Sequence, residues 1–426
     1  MKKGFSVLFM VLGVVFGGSE VLFAGEDVRE IAELRSRLAA LEEKYARNEE
    51  EGIRSLKSRE EAEKIFSGLN VAGGVTMVVQ GVRNANGDGQ SSGKEDVTDA
   101  SYSVDLEFGK EFEQGEAFVH LEAGDGAGVD EELKLFSSVN RDADDSDNAV
   151  AVTEAWYEHN FGEGPFRLAF GKLDAASVID DNAYANDEGA QFLGSMFRNS
   201  AVIEFPDNAP GIRALYAFGG NAEAAFTAVD GAGDGEDVAD SMFYGGQINF
   251  KPGLRGREGN YRFILWSNGD RHTRWDNIAS DKENSWGYGL SFDQELNDVF
   301  GVFIRYGWQD PEVVSSQEDD FDIATAFGVE QAYSLGMQLK GSLWGRAQDV
   351  SGLAWGQIFV SDEYKRQDVR RKGRPETYLE WYYNWQVNEY LHLSPDLQIV
   401  QNPYGGDALN GKDTVVVAGV RAQVSF

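Results

Sequence analysis

Cysteine is absent from this chain of 426 residues, and basic residues are scarce. Without cysteine the chain can form neither a disulfide scaffold nor a thiolate metal site. Lysine and arginine number 38 against 72 acidic residues, so the formal net charge is −34. This sign argues against nucleic acid as a partner, because phosphate contacts need basic patches. The acidic stretches at residues 84–96, 140–147, 230–237 and 315–322, of which the first and third are also rich in glycine, are typical of external loops.

Long apolar runs are also missing, apart from one at the start of the chain. Lys2 and Lys3 precede the apolar residues 5–16 (FSVLFMVLGVVF), and Ala24 offers a cleavage point. This pattern predicts a secretory signal peptide over residues 1–24, with an uncleaved inner-membrane anchor as the alternative. No other stretch approaches the ~20 apolar residues that a membrane helix needs. A membrane protein without such helices is a closed barrel, because only these two structures satisfy their backbone in lipid.

The end of the chain carries the clearest signal for a barrel. In the ending TVVVAGVRAQVSF (residues 414–426), every second residue from Val416 to Phe426 is apolar, Arg421 lies on the other parity, and the chain stops at Phe426. The last strand of a transmembrane barrel pairs with the first and turns its apolar face to lipid. The ending resembles the terminal signal strand that the barrel assembly machinery of Gram-negative bacteria reads. We therefore expect an outer-membrane protein whose partners are membrane lipid and, through the Phe426 strand, that machinery.

Apolar and polar residues alternate through much of residues 70–426. Leu379 and Trp381, for example, alternate with Tyr378, Glu380 and Tyr382. Side chains of a strand alternate between its two faces, so each such strand has one apolar and one polar face. The pattern predicts an all-β fold, a transmembrane antiparallel β-barrel with the polar face towards the lumen. Sixteen strands give a normal share of about 22 residues each, although 14 or 18 fit the pattern too.

A different period precedes the barrel, in residues 25–68. Apolar residues follow 3-4-3-4 spacing, as expected for a short heptad seam: Ile31, Leu34, Leu38, Leu41 and Tyr45. This segment is predicted to be a periplasmic helix that forms a coiled coil and joins protomers, as a homotrimer. An isolated amphipathic helix is the alternative.

Several segments resemble successive signatures of one family, the carbohydrate-selective porins (OprB family). They are residues 154–159 (EAWYEH), 168–174 (LAFGKLD), 186–193, 205–207 (FPD), 301–310 (GVFIRYGWQD), 333–339 (YSLGMQL) and the closing stretch 376–426. The resemblance implies a barrel of 16 strands through which monosaccharides and oligosaccharides diffuse passively into the periplasm. It also implies a constriction that an inward loop narrows and that charged and aromatic groups line. It implies no enzymatic activity and no cofactor or metal.

Candidate pore residues follow from this resemblance and from strand parity. The acidic stretch 180–188 lies between strand-like segments and is the best candidate to line the constriction, with Asp180, Asp181, Asp187 and Glu188. Arginines and carboxylates of lumen parity are predicted to line the pore or to form a salt-bridged wall: Arg167, Arg305, Arg421, Glu122, Glu380 and Asp396. Tyr378 and Tyr382 share the lumen face of one strand, where they either stack on sugars or pack beneath the inward loop.

Other functions are compatible with the same pattern. A siderophore-uptake porin or a general diffusion porin with a coiled-coil stalk would share the barrel and the helix. A barrel enzyme could use His392 and Ser394, but both take lumen parity, whereas a phospholipid hydrolase needs its site to face lipid. The remaining histidines, His120, His159 and His272, have no metal-ligand spacing in the sequence.

Overall fold

The computed structural model describes residues 32–33, 36–41, 43–45, 47, 67–87, 96–143, 148–277, 282–315, 326–408 and 410–426. The chain divides into two units, Met1–Ser67 and Gly68–Phe426. The predicted signal peptide lies outside the described residues. Among the helices that are described, none combines the length and the apolar character needed to cross a membrane.

In the first unit, the described residues between 32 and 47 are helical. Arg37 and Arg47 form ion pairs with Glu33 and Glu43, four residues earlier, as neighbours on a helix surface do. Leu38, Leu41 and Tyr45 of the predicted seam are exposed on this helix. Assembly of the seam into a coiled coil, and into a trimer, stays a prediction.

In the second unit, the described residues form sixteen antiparallel strands that close into a barrel. This confirms the predicted fold class and, of the strand counts left open, selects sixteen. The final strand pairs with the first, from Gly74 opposite Ser425 to Arg83 opposite Val416. The strands are β1 (Leu69–Arg83), β2 (Asp96–Phe112), β3 (Gly115–Asp125), β4 (Ala151–Asn160), β5 (Phe166–Leu173), β6 (Ala209–Ala217), β7 (Ala222–Asp230), β8 (Met242–Phe250), β9 (Gly259–Thr273), β10 (Lys282–Asn297), β11 (Phe300–Gln309), β12 (Val329–Lys340), β13 (Val350–Val360), β14 (Glu376–Gln386), β15 (Leu391–Gln401) and β16 (Thr414–Ser425).

Exposure alternates along the strands as the sequence pattern predicts. On β14 the apolar Leu379 and Trp381 are exposed, whereas Tyr378, Glu380 and Tyr382 between them are buried. The exposed parity is apolar because it forms the outer surface of the barrel, which faces lipid in proteins of this architecture. The polar parity points into the barrel, where other parts of the chain cover many of its side chains.

Connections alternate in length around the barrel. Only residues 113–114 separate β2 from β3, whereas residues 174–208 separate β5 from β6. In bacterial outer-membrane barrels the short turns are periplasmic and the long loops extracellular. The long loops contain two short helices, α1 (Ser195–Arg198) and α2 (Asp362–Gln367), and 3₁₀ turns at Asp130–Glu132, Ala175–Ser177 and Pro403–Gly406; a further turn, Gly341–Trp344, lies on the periplasmic side. Two of these loops fold back into the barrel and shape its interior.

Candidate constriction and solute passage

The inserted segment, residues 174–208 between β5 and β6, lies inside the barrel and packs on the lumen side of β8 to β16. Arg305 of β11 donates from Nε to Asp180 Oδ1 at 2.9 Å, and from its terminal nitrogens to the carbonyl oxygens of Asp180 and Phe197. Asp180 also accepts from Ser200 N at 2.6 Å. Both charges are almost completely buried, and such pairs hold only with good geometry and further hydrogen bonds. Arg305 therefore fastens the segment to the wall.

Two further charged side chains hold the middle of the inserted segment. The carboxylate of Glu380 on β14 accepts hydrogen bonds from Leu193 N at 2.6 Å and Gly194 N at 3.1 Å. On β16, Arg421 donates to the carbonyl oxygens of Glu188 and Gln191. These strand side chains satisfy backbone groups of the segment that water would otherwise solvate. They give the segment a fixed position against the wall.

Aromatic packing and glycines complete this contact. Phe192 of the segment meets Tyr382 edge-on, with ring centroids 4.8 Å apart, and both are buried. A Cβ at the lumen-facing Gly307 would lie 2.3 Å from Val202 of the segment. Only glycine allows this close approach, so the wall is shaped to receive the segment.

A second loop connects β3 to β4, and its described residues 126–143 pack next to the inserted segment, where Arg141 N donates to the carbonyl oxygen of Leu193 at 2.9 Å. The Asp130 carboxylate accepts from Val139 N at 2.8 Å and Asn140 N at 3.0 Å, and burial raises the pKa of this carboxyl to about 6 despite those bonds. Tyr378 OH exchanges hydrogen bonds of 3.0 Å with the backbone of Ser137. Gln398 donates to the carbonyl oxygen of Val139 at 2.8 Å. The loop is thus hydrogen-bonded both within itself and to β14 and β15.

The structure separates the sequence-predicted pore residues into two groups. The first group is buried where the two loops meet the barrel wall: Asp180, Arg305, Tyr378, Glu380, Tyr382, Asp396 and Arg421. The second group retains exposed surface: Arg167, Asp181, Asp187 and Glu188. Members of the first group position the loops, and Asp396 is bonded to Gln398 beside them. Of these two groups, only the second leaves surface exposed inside the barrel, as do side chains opposite it.

The open part of the lumen lies along β2, β3 and β4, which we call the open wall. Cross-strand register arranges its lumen-facing side chains in rows. One row is Glu107–His120–Glu154, the next is Gly109–Phe118–Trp156, and the third is Glu111–Glu116–Glu158. Neighbouring rows are about 7 Å apart, since alternate residues of a strand share a face. An aromatic row therefore runs between two acidic rows.

The aromatic row offers a flat, partly polar surface. The rings of Phe118 and Trp156 lie 5.2 Å apart, and both side chains are half-buried. The Arg213 guanidinium lies 4.7 Å from the centre of the Trp156 ring. Trp156 Nε1 donates to Glu154 at 2.9 Å, which fixes the orientation of the indole. An apolar face with donors and acceptors at its edges suits a polyhydroxylated ring.

Ion pairs border this surface. Glu158 binds Arg167 of β5 at 3.0 Å and Arg213 of β6 at 3.3 Å. Across the lumen, Glu188 of the inserted segment binds Arg198 at 2.7 Å. Alternating charges of this kind orient water and neutral polar solutes in a pore. Together the open wall and the facing edge of the inserted segment form what we call the passage.

Asp142 lies where the β3–β4 loop approaches the inserted segment. Its carboxylate accepts from Ser103 Oγ at 3.3 Å. Burial, followed by the negative charges of Glu188 and Asp105, raises the pKa of this carboxyl to about 8, and the Arg421 guanidinium opposes the shift. Asp142 is therefore largely protonated at neutral pH and gains its charge in mildly alkaline solution.

One group of side chains on the open wall has the donor set of a metal site. Asp105, His120 and Glu122 bring ligand atoms within 4.8 Å of one another. His120 Nε2 already bonds to Asp105 at 2.9 Å and Nδ1 to Thr153 Oγ1 at 2.9 Å. These hydrogen bonds account for both ring nitrogens, so the geometry is that of an ordinary carboxylate–histidine pair.

Sequence reasoning did not single out Trp156, Arg213 or Asp142 as passage residues. Trp156 belongs to the EAWYEH segment, but a bulge between His120 and Leu121 shifts the register between β3 and β4. Counting parity along one strand cannot locate such a shift. Asp142 lies in a loop, where no strand period applies. The alternation of Phe118, His120 and Glu122 on β3 was the one available signal for the aromatic row.

Comparison with known proteins places the chain in a family. A sequence model of the carbohydrate-selective porins, OprB family, matches residues 89–426. The chain belongs to the OprB family. As a member of that family of channel proteins, it is an outer-membrane porin. No curated protein sequence matches it significantly.

Solved structures show the same fold. The high-pH structure of Pseudomonas putida OprB superposes with a TM-score of 0.70 at 16% identity, covering 86% of this chain and 96% of that one. The outer membrane channel DcaP of Acinetobacter baumannii gives a TM-score of 0.52 at 14% identity, covering 84% and 97%. Identities this low establish the barrel architecture alone.

Proposed function

We propose that this porin lets monosaccharides and oligosaccharides diffuse passively across the outer membrane into the periplasm. The observation that carries the proposal is the aromatic row of Phe118 and Trp156 between two acidic rows, on the part of the barrel interior that keeps exposed surface. Sugars present apolar C–H faces and many hydroxyl groups, which such rows match. Contacts are expected to be weak, because a conduit must release what it admits.

The other predicted partners belong to the same proposal. The β16 strand, with Phe426 bonded to Gly73 of β1 in both directions at 2.9 Å, closes the barrel and is the segment we expect the barrel assembly machinery to recognise. The N-terminal helix is proposed to join three copies on the periplasmic side. Neither partner is needed for solute diffusion through one barrel.

The test is single-channel recording of the refolded full-length protein in planar bilayers, with glucose and then maltose added. We expect concentration-dependent block of the ion current by both sugars. Open channels whose current ignores both sugars would reduce the protein to a general diffusion porin. Block by a ferric siderophore alone would instead support the siderophore-uptake alternative.

Trp156→Ala is the matching variant, and Trp381→Ala on the lipid side of β14 is its control. The first removes the stacking surface, whereas the second removes an indole from the outer face. Sugar block should weaken in Trp156→Ala and persist in Trp381→Ala. Equal block in both variants would exclude the aromatic row as the sugar contact.

A further inference from the structure

The open wall carries carboxylates without a matching number of cations. On β2 to β4, which the structure describes in full, the lumen-facing acids are Asp99, Asp105, Glu107, Glu111, Glu116, Glu122, Glu154 and Glu158. The same faces of these three strands contain no lysine or arginine, and His120 is their single other ionisable group. The acidity of the chain is thus not confined to distant loops, where salt would screen it.

Three arginines next to the open wall already have acidic partners. Arg167 and Arg213, from β5 and β6, both bind Glu158. Arg198 on the facing segment is paired with Glu188. Asp187 beside it is exposed and bonded to the backbone nitrogens of Gly189 and Ala190. Two arginines share the single carboxylate of Glu158, so one positive charge is left over there. It is outnumbered by open-wall acids that form no salt bridge among the described residues: Glu107, Glu111, Glu116 and Glu154.

The arginines of β9, β11 and β16 do not supply the missing positive charge. Arg305 is paired with Asp180, and Arg262 is paired with Asp293 at 2.6 Å. All four side chains are buried. Arg421 is directed at backbone carbonyl oxygens of that segment. A narrow lumen with low-dielectric walls focuses the field of such uncompensated charges. The passage is therefore electronegative along the surface where a sugar would stack.

We propose that the open wall makes this channel selective for cations and, among sugars, for amino sugars that carry a protonated amine. This inference rests on the proposed function, since it names the sugar class that the same passage favours. A hexosamine ring stacked on Phe118 and Trp156 has acidic rows about 7 Å to either side. Its ammonium group then meets Glu107 or Glu154 while its hydroxyls reach the remaining acceptors. Glu107, which is exposed and lies in the row beside the rings, is the specificity-determining residue.

The experiment compares solutes that differ in one group. Uptake of radiolabelled glucose, glucosamine and N-acetylglucosamine is measured in proteoliposomes that contain the full-length protein, at low salt. Glucosamine matches glucose in size but carries a positive charge, and N-acetylglucosamine removes that charge. Glucosamine should pass about fivefold faster than glucose, the factor expected from one attractive charge at contact distance in water. The advantage should shrink in 1 M KCl, where the Debye length is about 3 Å.

Glu107→Gln should lower the glucosamine-to-glucose ratio to roughly twofold by removing one of the wall charges. Its control, Glu163→Gln, makes the same charge change in the exposed turn between β4 and β5 and should leave the ratio unchanged. Equal uptake of glucose and glucosamine by the wild-type protein would overturn the inference and leave the sugar conduit intact. An unaltered ratio in Glu107→Gln would overturn the role given to that residue. Failure of all three sugars to pass would overturn the proposed function itself.

Discussion

The two sides of this barrel use the same kinds of residue for different purposes. On β8 to β16, which we call the covered wall, lumen-facing charges such as Arg305 and Glu380 are buried and bonded to the inserted segment. On the open wall, Glu107 and Phe118 keep water-accessible surface. A charged side chain inside a barrel therefore lines the pore only where no loop lies over it. Where a loop does lie over it, the same side chain holds that loop against the wall.

The two walls differ because only the covered wall has to provide hydrogen-bond partners for the inserted segment. The inserted segment brings unpaired backbone groups and the Asp180 carboxylate into a space without bulk water, and each needs a partner. The covered wall supplies those partners, as well as the glycines that leave room. The open wall keeps accessible surface, so a carboxylate such as Glu107 is exposed there instead of being bonded to a loop. This division predicts that substitutions on the covered wall change stability and those on the open wall change transport.

The largest effect is expected from Arg305→Ala. This change leaves the buried Asp180 charge without its partner, which typically costs about 3–5 kcal/mol. The free energy of unfolding, measured by urea titration in lipid vesicles, should fall by that amount. The single-channel conductance should rise as the inserted segment leaves the wall.

Arg167→Ala provides the matched control for that comparison. Its side chain is 52% exposed and pairs with Glu158 near the surface of the lumen. Exposed pairs contribute little, so its unfolding free energy should stay within about 1 kcal/mol of wild type. If Arg305→Ala and Arg167→Ala lost the same free energy of unfolding, the proposed difference between the two walls would be wrong.

A smaller effect is expected from Trp156→Ala on the open wall. Removing the ring should cost about 1 kcal/mol of sugar contact, or roughly a fivefold higher sugar concentration for half-block of the current. Stability should change less than in Arg305→Ala, since Trp156 is half-buried. Sugar block and urea unfolding are both measured for this variant. If Trp156→Ala lost stability but its current were still blocked normally by sugar, the proposed difference between the two walls would be wrong.

The smallest effect concerns pH. The raised pKa of Asp142, about 8, means that this carboxyl is protonated at pH 6 and charged at pH 9. Because its pKa is higher in the folded state, its contribution to stability is present at low pH and declines as pH rises through about 8. The added charge beside Glu188 and Asp105 should move the reversal potential in a KCl gradient towards cation selectivity between pH 7 and 9.

Asp142→Asn tests this assignment, because it keeps the shape of the side chain and removes its titration. The variant should show a flat reversal potential over the same pH range. A wild-type curve that is equally flat, or a variant curve that still bends near pH 8, would show that another group is responsible.

The barrel could be predicted from the sequence because its determinants are local and periodic. Alternation on β14 and the apolar parity of residues 414–426 depend on single strands, and both recur in the structure. The inserted segment is less accessible to such reasoning. The stretch 180–188 was identified as lining the constriction, but nothing periodic shows which wall it covers, because that depends on contacts such as Arg305 with Asp180 across the barrel.

Strand parity likewise shows which side chains face inward, but it does not show which of them another segment covers. It identifies Tyr382 and Glu380 as inward-facing, but their burial arises from Phe192 and Leu193, which are far away in sequence. The glycines of the covered wall, such as Gly307 opposite Val202, are a usable signal in hindsight. A lumen-facing glycine between buried neighbours marks the place where another segment approaches.

The most direct measurement uses the absence of cysteine from the chain. Single cysteines are introduced at Glu107 on the open wall and at Ser394 on the covered wall, where the native side chain is 2% exposed. Each channel is then treated with a charged thiol reagent during recording. The division of the lumen predicts that the current of Glu107→Cys falls in a discrete step and that Ser394→Cys does not respond. Rapid reaction at Ser394→Cys with no response at Glu107→Cys would contradict it and place the passage on the other side of the inserted segment.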